Sequence, residues 1–506
     1  MRSRTVVWIG AIAALLFAVA PQRLFAQATT VTCSSTMGER QSCPADTSAG
    51  VALQRSLGTA ECLLGKTWGY GTNDIWVSDG CSGEFVLGQA TSAPGTPSTA
   101  PPPEPQEPIE QWSVVVPGKG FLVGRTEMGE LYISVYALTR YLNQLPANQT
   151  FIDHLGVEHT VDTRNDIFSH RVMVFLKGWI ALPKLRYVIT LWTVNTTDQK
   201  ALFATVGYQF SKKFSIYGGL NALPGTRSLI GSHPYWLAHD RVMADEFFRP
   251  FFTHGVWASG EAIPGLWYSA MVGNNLSALG ITASQLTRSF ATGGSVWWMP
   301  TTKEFGLQGR YGDWEYHEHL ATRFGISTTR SREDAFSDQG STAPDNTTIR
   351  LADSLNLFEP NSLAPGVTVR QANYRLLSFD AGMKYKGVFL QTEVYHRWLD
   401  KFDADGPLPV TSILDKGFYV QGAFYPVPKK LELYAATSQI YGDKSAGFGN
   451  SNEYLGGLNY YIVDSPNYRF NVQAIRVNRS PVSSSFGYYI GGQKGTTVSV
   501  GFSMFF

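Results

Sequence analysis

From Gly129 to the end of the chain, apolar and polar residues alternate at period two in segments of about ten residues, the weak signature that a membrane-crossing strand leaves in a sequence. The last segment shows it best: Val498, Val500, Phe502, Met504 and Phe506 share one face, while Thr497, Ser499, Gly501 and Ser503 share the other. After Pro466, Tyr468, Phe470, Val472 and Ala474 oppose Arg469, Asn471 and Gln473. Farther up, Val172, Val174, Leu176 and Ile180 oppose Arg171 and Lys177, and Leu377, Phe379, Ala381 and Met383 oppose Ser378, Asp380 and Lys384. A soluble sandwich buries one face of each strand, so charges and amides on that face call for a wet interior. The pattern predicts an all-β protein, a transmembrane antiparallel β-barrel, closed because lipid cannot satisfy the unpaired backbone groups of an open edge.

The connections fall into two alternating classes. Short turns are expected at Pro183-Lys184, Ser211-Lys212-Lys213, Pro300-Thr301-Thr302, Tyr385-Lys386-Gly387, Pro426-Val427-Pro428 and Asp464-Ser465-Pro466. Long polar loops are expected over 143–165, 223–250, 331–373, 399–414 and 479–494. Short turns on one side and long loops on the other are what a bacterial barrel requires, and both chain ends on the turn side demand an even strand number. Segment counting gives about 17 candidates, which the even-number rule brings to 16, or to 18 if one more lies within 331–373. Trp179, Trp192, Trp257, Trp267, Trp297 and Trp298 stand near segment ends, where an interfacial aromatic girdle would place them.

Upstream of the alternating region the composition changes. Arg2 and Arg4 followed by the apolar run Val6 to Ala20 read as a signal peptide over 1–28, cleaved after Ala26 or Ala28. All four cysteines, Cys33, Cys43, Cys62 and Cys81, fall in a small module over 29–90. No histidine lies among them and no C-x-x-C pair exists, which favours two disulfides over a metal; three pairings are open. Residues 91–111, rich in Pro, Ser, Thr and Glu, form a linker, and 112–506 the barrel. In the module, Trp68, Tyr70, Trp76 and Phe85 fit either a small core or an aromatic platform for peptidoglycan or another glycan.

Charge narrows the function. The net charge of +1 is not that of a nucleic-acid binder. Alternation alone assigns Arg171, Lys177, Arg310, Arg323, Lys384, Arg397 and Arg469 to the lumen, against Glu130, Asp380, Glu393 and Glu432, an excess that favours anions weakly. His317-Glu318-His319 is the tightest histidine cluster and reads as a solvated connection rather than a metal site. No G-x-S-x-G, H-E-x-x-H or P-loop sequence occurs, so no catalytic set, metal or cofactor is expected. The Asn148, Asn195 and Asn346 sequons read as incidental.

The stretches GFLVGRTEMGELYISVYALTRYLNQ from Gly120 and RVMADEFFRPFFTHGVWASGE from Arg241, with the terminal VSVGFSMFF, resemble the phosphate-selective porin family of the porin O and P type over about 120–506. That resemblance implies a homotrimeric 16-stranded barrel in outer-membrane lipid, passing small anions such as phosphate, with one loop folded into the pore and a terminal phenylalanine as assembly signal. It places the constriction in 223–250, where Arg227, His233, His239, Arg241 and Arg249 concentrate. The same residues also fit a solvated outer loop in which Arg241 and Arg249 pair with Asp240, Asp245 and Glu246. The family's phosphate-binding arginines find no matched positions. The stretch GKTWGYGTNDIWVSDGCSGEFVLG looks like a small domain of unknown function found in exported bacterial proteins. Two functions follow as expectations: a passive channel for small hydrophilic solutes with the module in the periplasm, or a non-conducting anchor whose module binds cell wall.

Overall fold

The structure is a computed structural model that describes residues 30–48, 50–87, 120–194, 199–231, 233–278, 283–335, 349–484 and 487–506. The expected signal peptide and linker lie outside the described residues. The chain divides into two compact units, Met1–Glu107 and Pro108–Phe506.

The first unit contains β1 (Thr30–Ser34), β2 (Arg40–Pro44), β3 (Val51–Ser56), β4 (Trp68–Tyr70), β5 (Asp74–Ser78) and β6 (Ser82–Leu87). They form two three-stranded antiparallel sheets, ordered β1-β6-β3 and β2-β5-β4. Disulfides join Cys33 to Cys43 and Cys62 to Cys81. Val51, Trp68, Ile75, Val77 and Phe85 are buried around them, so Trp68 and Phe85 serve as core. Trp76 instead lies across Gly69, where a Cβ would stand 2.6 Å from its ring. Its ring also carries the Arg40 guanidinium at 3.9 Å.

In the second unit β7 (Phe121–Thr126) and β8 (Gly129–Leu145) precede a hairpin of β9 (Asn148–Ile152) and β10 (Glu158–Asp162). There follow β11 (Asn165–Ile180), β12 (Leu182–Val194), β13 (Gln199–Ser211), β14 (Phe214–Ala222), a short helix α1 (Met243–Phe248), β15 (Phe252–Ile263), β16 (Leu266–Gly273) and β17 (Ala291–Trp298). The wall continues through β18 (Ala321–Asp334), β19 (Val369–Tyr385), β20 (Val388–Ala404), β21 (Ser412–Val427), β22 (Leu431–Tyr441), β23 (Asn450–Tyr461), β24 (Tyr468–Asn478) and β25 (Gly495–Phe505). Each wall strand pairs antiparallel with the next, and β25 returns to β8 from Thr496 opposite Leu145 to Phe505 opposite Tyr136. The barrel is therefore closed by 16 strands, β8 and β11 to β25. β7 lies on the same edge of β8, beyond the point where β25 stops, and completes that edge. Between β18 and β19 the described residues add one isolated bridge, Arg350 to Asn356, and no further strand, which settles the count at 16 rather than 18.

The outward face carries exposed apolar side chains on strand after strand, including Leu202, Val256, Val296, Phe324, Phe379, Val420 and Phe502. Lipid is the solvent that suits such a band on a closed sheet. The inward face departs from the uniform polar lining that alternation implied. Along β18 to β25 and β8 it carries most of the buried charges, interspersed with apolar residues such as Leu142, Phe389, Leu399, Leu455 and Ile475, but along β11 to β17 it presents chiefly Met173, Phe175, Val188, Trp192, Phe203, Tyr217, Trp257, Met271 and Trp297, all buried. Trp192, Trp257 and Trp297 thus point inward and belong to no interfacial girdle, because their strands need apolar side chains to receive an infolded loop; Trp298 does face outward.

Candidate functional site: an occupied lumen

The connection from β14 to β15 enters the barrel. Nearly every described residue from 223 to 251 is buried, so the solvated-loop alternative is excluded. Its apolar side chains explain the course. Leu229, Phe251 and the partly buried Tyr235 pack on Met173, Phe175, Trp192 and Phe203 of the apolar arc. On the opposite side its backbone is held by the charged arc: Arg469 donates to the carbonyl of Ala238 at 3.1 Å, Asn459 to that of Leu237 at 2.8 Å, and the amide of Met243 donates to Glu453 at 2.9 Å. Glu393 accepts the amide of Arg227 at 2.9 Å. Wall carboxylates thereby fix backbone donors that a loop inside a barrel could not otherwise satisfy.

All five residues expected at the constriction are buried in the lumen, in three different roles. Arg241 and Arg249 are matched by acids of their own loop, as the alternative reading held: Arg241 lies 3.6 Å from Asp245, and Arg249 bonds Glu246 at 2.6 Å. Asp240 of this loop also takes the guanidinium of Arg171 at 3.2 Å. His233 packs edge-on against Tyr136 and Trp236, with both ring centroids 5.1 Å away, and His239 lies 3.2 Å from the Ser503 hydroxyl. Arg227 crosses toward β20 and donates to the carbonyl of Gly309.

Of the lumen charges read from alternation, Arg171, Arg323, Lys384, Arg397 and Arg469 point inward and are buried, as are Glu130, Asp380, Glu393 and Glu432. Lys177 shares the face of Arg171 and is partly exposed. Arg310 is a correction: it is buried in the lumen but lies on no strand, since residues 299–320 are not the short turn expected at Pro300-Thr301-Thr302. Alternation also missed inward Arg140, Glu333, Asp415 and Glu453. Arg140 shares the parity of Glu130 on β8 and was legible; the other three lie toward strand ends that had been taken for loops or left unread. With them included, the six buried strand cations among the described residues, Arg140, Arg171, Arg323, Lys384, Arg397 and Arg469, are met by seven buried acids, Glu130, Glu333, Asp380, Glu393, Asp415, Glu432 and Glu453. The basic excess expected of the wall does not survive. Two pairs are direct, Arg323 to Asp380 at 2.9 Å and Arg397 to Asp415 at 2.7 Å.

Residues 299–320 form a second infolded segment, entering from the turn end. Phe305, Tyr311 and Trp314 are buried; Tyr311 stacks on Phe389 with centroids 5.9 Å apart, and Trp314 meets Tyr461 at 4.5 Å. The two segments touch: the amide of Tyr311 donates to the carbonyl of Tyr235 at 2.9 Å, and the Arg310 guanidinium lies 4.5 Å from the Tyr235 ring. At its mouth-side base, His317 bonds Asp313 through Nδ1 and Glu304 through Nε2, the latter at 2.9 Å. Burial alone would lower the imidazole, but the bonds to Asp313 and Glu304 outweigh it and raise it to about 9, so both nitrogens carry protons at neutral pH. Asp313, Glu315 and His317 stand close enough to share a cation, yet Arg310 at 3.1 Å and Lys384 at 3.9 Å already offset Glu315. The expected solvated connection holds for Glu318 and His319, which are exposed, but not for His317, whose side chain is an internal clasp.

A cavity of about 10 Å³ lies between the loop and β21 to β23, bordered by Trp236, Asp240, Arg241, Tyr311, Tyr419 and Tyr434. Such a space admits roughly one water.

Residues 2–106 match a family described as a protein of unknown function, DUF3011, in line with the resemblance of the cysteine module; the match stops short of the barrel. No curated protein matches the chain. Solved structures similar to it include OmpT of Vibrio cholerae, 11% identical over 76% of this chain and 99% of that one, with a TM-score of 0.46. An anion-selective porin from Comamonas acidovorans is 12% identical over 75% and 100%, with a TM-score of 0.44. The outer-membrane channel DcaP of Acinetobacter baumannii is 10% identical over 76% and 99%, with a TM-score of 0.41. Likenesses this distant carry no argument about function, which rests on the geometry of the barrel.

Proposed function

We propose that this chain is an outer-membrane channel for small hydrophilic solutes. The observation that carries the reading is the split lumen: a polar, charge-bearing arc faces an infolded loop across that cavity, an arrangement that a barrel serving only as an anchor does not need. Flow is passive and runs along the polar arc. We assign a weak preference for anions to this channel. The wall offers no basic excess, and the preference rests on the cations that converge where the two segments meet. There Arg227 leaves Nε and Nη1, and Arg323 leaves Nη1 and Nη2, without hydrogen-bond partners among the described residues. Charge-assisted bonds from such groups suit small oxyanions, phosphate among them. The resemblance over 120–506 extends to a homotrimer, tested by sedimentation in detergent. Single-channel recordings in planar bilayers, with reversal potentials in a salt gradient, test the channel. Absence of conductance at any voltage would overturn it, and clear cation selectivity would overturn the anion preference.

The filled lumen favours a second reading, a non-conducting anchor whose periplasmic module binds peptidoglycan or another glycan. Under it, deleting 29–111 abolishes sedimentation with purified sacculi; under the channel reading the deletion leaves conductance intact.

A further inference from the structure

Passage through a barrel is set by the narrowest element inside it, and here two elements meet from opposite mouths. Loop 223–251 is bound along both of its sides, to the apolar arc and to the acids and amides of the charged arc. It is built into the barrel and has little room to move. Segment 299–320 is attached differently. It springs from β17 and β18, meets the loop at Tyr235 and Arg227, and reaches the wall through aromatic contacts, stacked on Phe389 and edge-on to Tyr425 and Tyr461. Its base is clasped by charge: His317 between Asp313 and Glu304, Asp313 accepting the amide of Gly387 at 2.7 Å, and the amide of Lys386 donating to the carbonyl of His317 at 2.9 Å. Gly312, at φ +75°, lies so close to the wall that a Cβ would stand 2.1 Å from Glu432 Oε1.

From this contrast we infer that residues 299–320 are a turn-side plug: the closed state is set by this segment seated against loop 223–251, and conduction requires its base to unclasp and swing toward the turn-end mouth. The inference rests on the channel reading and adds the element that gates it. Loop 223–251 then sets the selectivity of the open state, while the plug sets how often that state occurs. The residues that decide occupancy are His317, Asp313 and Glu304 at the clasp and Tyr311 at the tip.

Three forms of the full-length protein test this in planar bilayers. Replacing 303–318 by a short Gly-Ser turn should raise mean conductance several-fold. His317→Ala, which leaves the aromatic contacts in place, should raise the open fraction without changing the unitary conductance. The pair Tyr235→Cys/Tyr311→Cys places cysteines on the two residues whose main chains are bonded at 2.9 Å, one on each segment. Oxidation of that pair should hold the channel closed and reductant should release it, with the parent protein under the same reductant as control for the module disulfides. Heat-modifiable mobility on gels verifies that each barrel is folded. If folded deletion and His317→Ala proteins conduct as the parent does, the plug is refuted while the channel stands. If none of the forms conducts, the channel reading itself fails.

Discussion

The amide of Tyr311 donates to the carbonyl of Tyr235 across 2.9 Å, joining two segments that enter the barrel from opposite ends. Between them sit Arg310 over the Tyr235 ring at 4.5 Å and Arg227 over the Tyr311 ring at 5.0 Å. The junction is thus aromatic and cationic at once, in a lumen whose strand charges show no basic excess. With the bond from Arg227 to the Gly309 carbonyl, these contacts join the two segments within the barrel.

The ion pair of Arg397 and Asp415, at 2.7 Å, is buried, and Arg397 also donates to the carbonyl of Arg350 at 2.7 Å. Truncating one member leaves the other charge unpaired in the interior, a loss of about 3–5 kcal/mol. Arg397→Met should therefore lower the denaturant midpoint of the folded barrel, read by heat-modifiable mobility, whereas Arg397→Met/Asp415→Leu should recover much of it. An unchanged midpoint in the single variant would show the pair to be hydrated.

His317 bears on stability through pH. Its value is raised to about 9, so the stabilisation it brings is complete below the unfolded value near 6.5 and is lost as pH rises through 9. Burial alone would raise Glu304 and Asp313, but bonds from His317 hold both below their ordinary values, so their contribution is present above the usual carboxylate range and lost in acid. Hydrogen exchange of 299–320 should accordingly be slowest at mildly acid to neutral pH and quicken, beyond the intrinsic base dependence, on passing pH 9. The His317→Ala protein should lack that step.

The cysteine module should stand or fall by its bridges without touching the barrel. The closed loops are short, with separations of 10 and 19 residues, and each bridge contributes about 2–4 kcal/mol by limiting the unfolded chain. Replacing all four cysteines by serine should make residues 30–87 protease-sensitive under conditions where the parent resists. Heat-modifiable mobility of the barrel should not change.

The chain end closes the sheet. Phe506 exchanges two backbone bonds with Val135, at 2.8 and 3.0 Å, and its ring lies 5.7 Å from that of Phe121. Deleting it removes both bonds, about 1–3 kcal/mol in all at the usual net value per bond. Refolding into detergent should slow and its yield fall; a yield equal to that of the parent would show that β7 alone seals the edge.

The barrel, its 16 strands and its lipid face were legible in the sequence because alternation is a local signal: lipid on one side and polar lumen on the other sort neighbouring residues at period two. Val498, Val500 and Phe502 face outward, and Thr497, Ser499 and Ser503 inward, as that pattern requires. The infolding of 223–250 was legible only through resemblance. Segment 299–320 was not legible, since Pro300-Thr301-Thr302 has the chemistry of a turn and the residues after it carry no period.

What the sequence determined by itself, then, was the wall, because each strand answers to its own two solvents. The tertiary structure alone decided what fills it. Whether Trp257 serves a girdle or a core, whether His317 is solvated or clasped, and whether the lumen keeps a basic excess all depend on which distant segment lies against them. No local pattern encodes a contact between Tyr235 and Tyr311; it arises because an apolar inner arc, unsuited to water, must be covered by whatever the chain can fold inward.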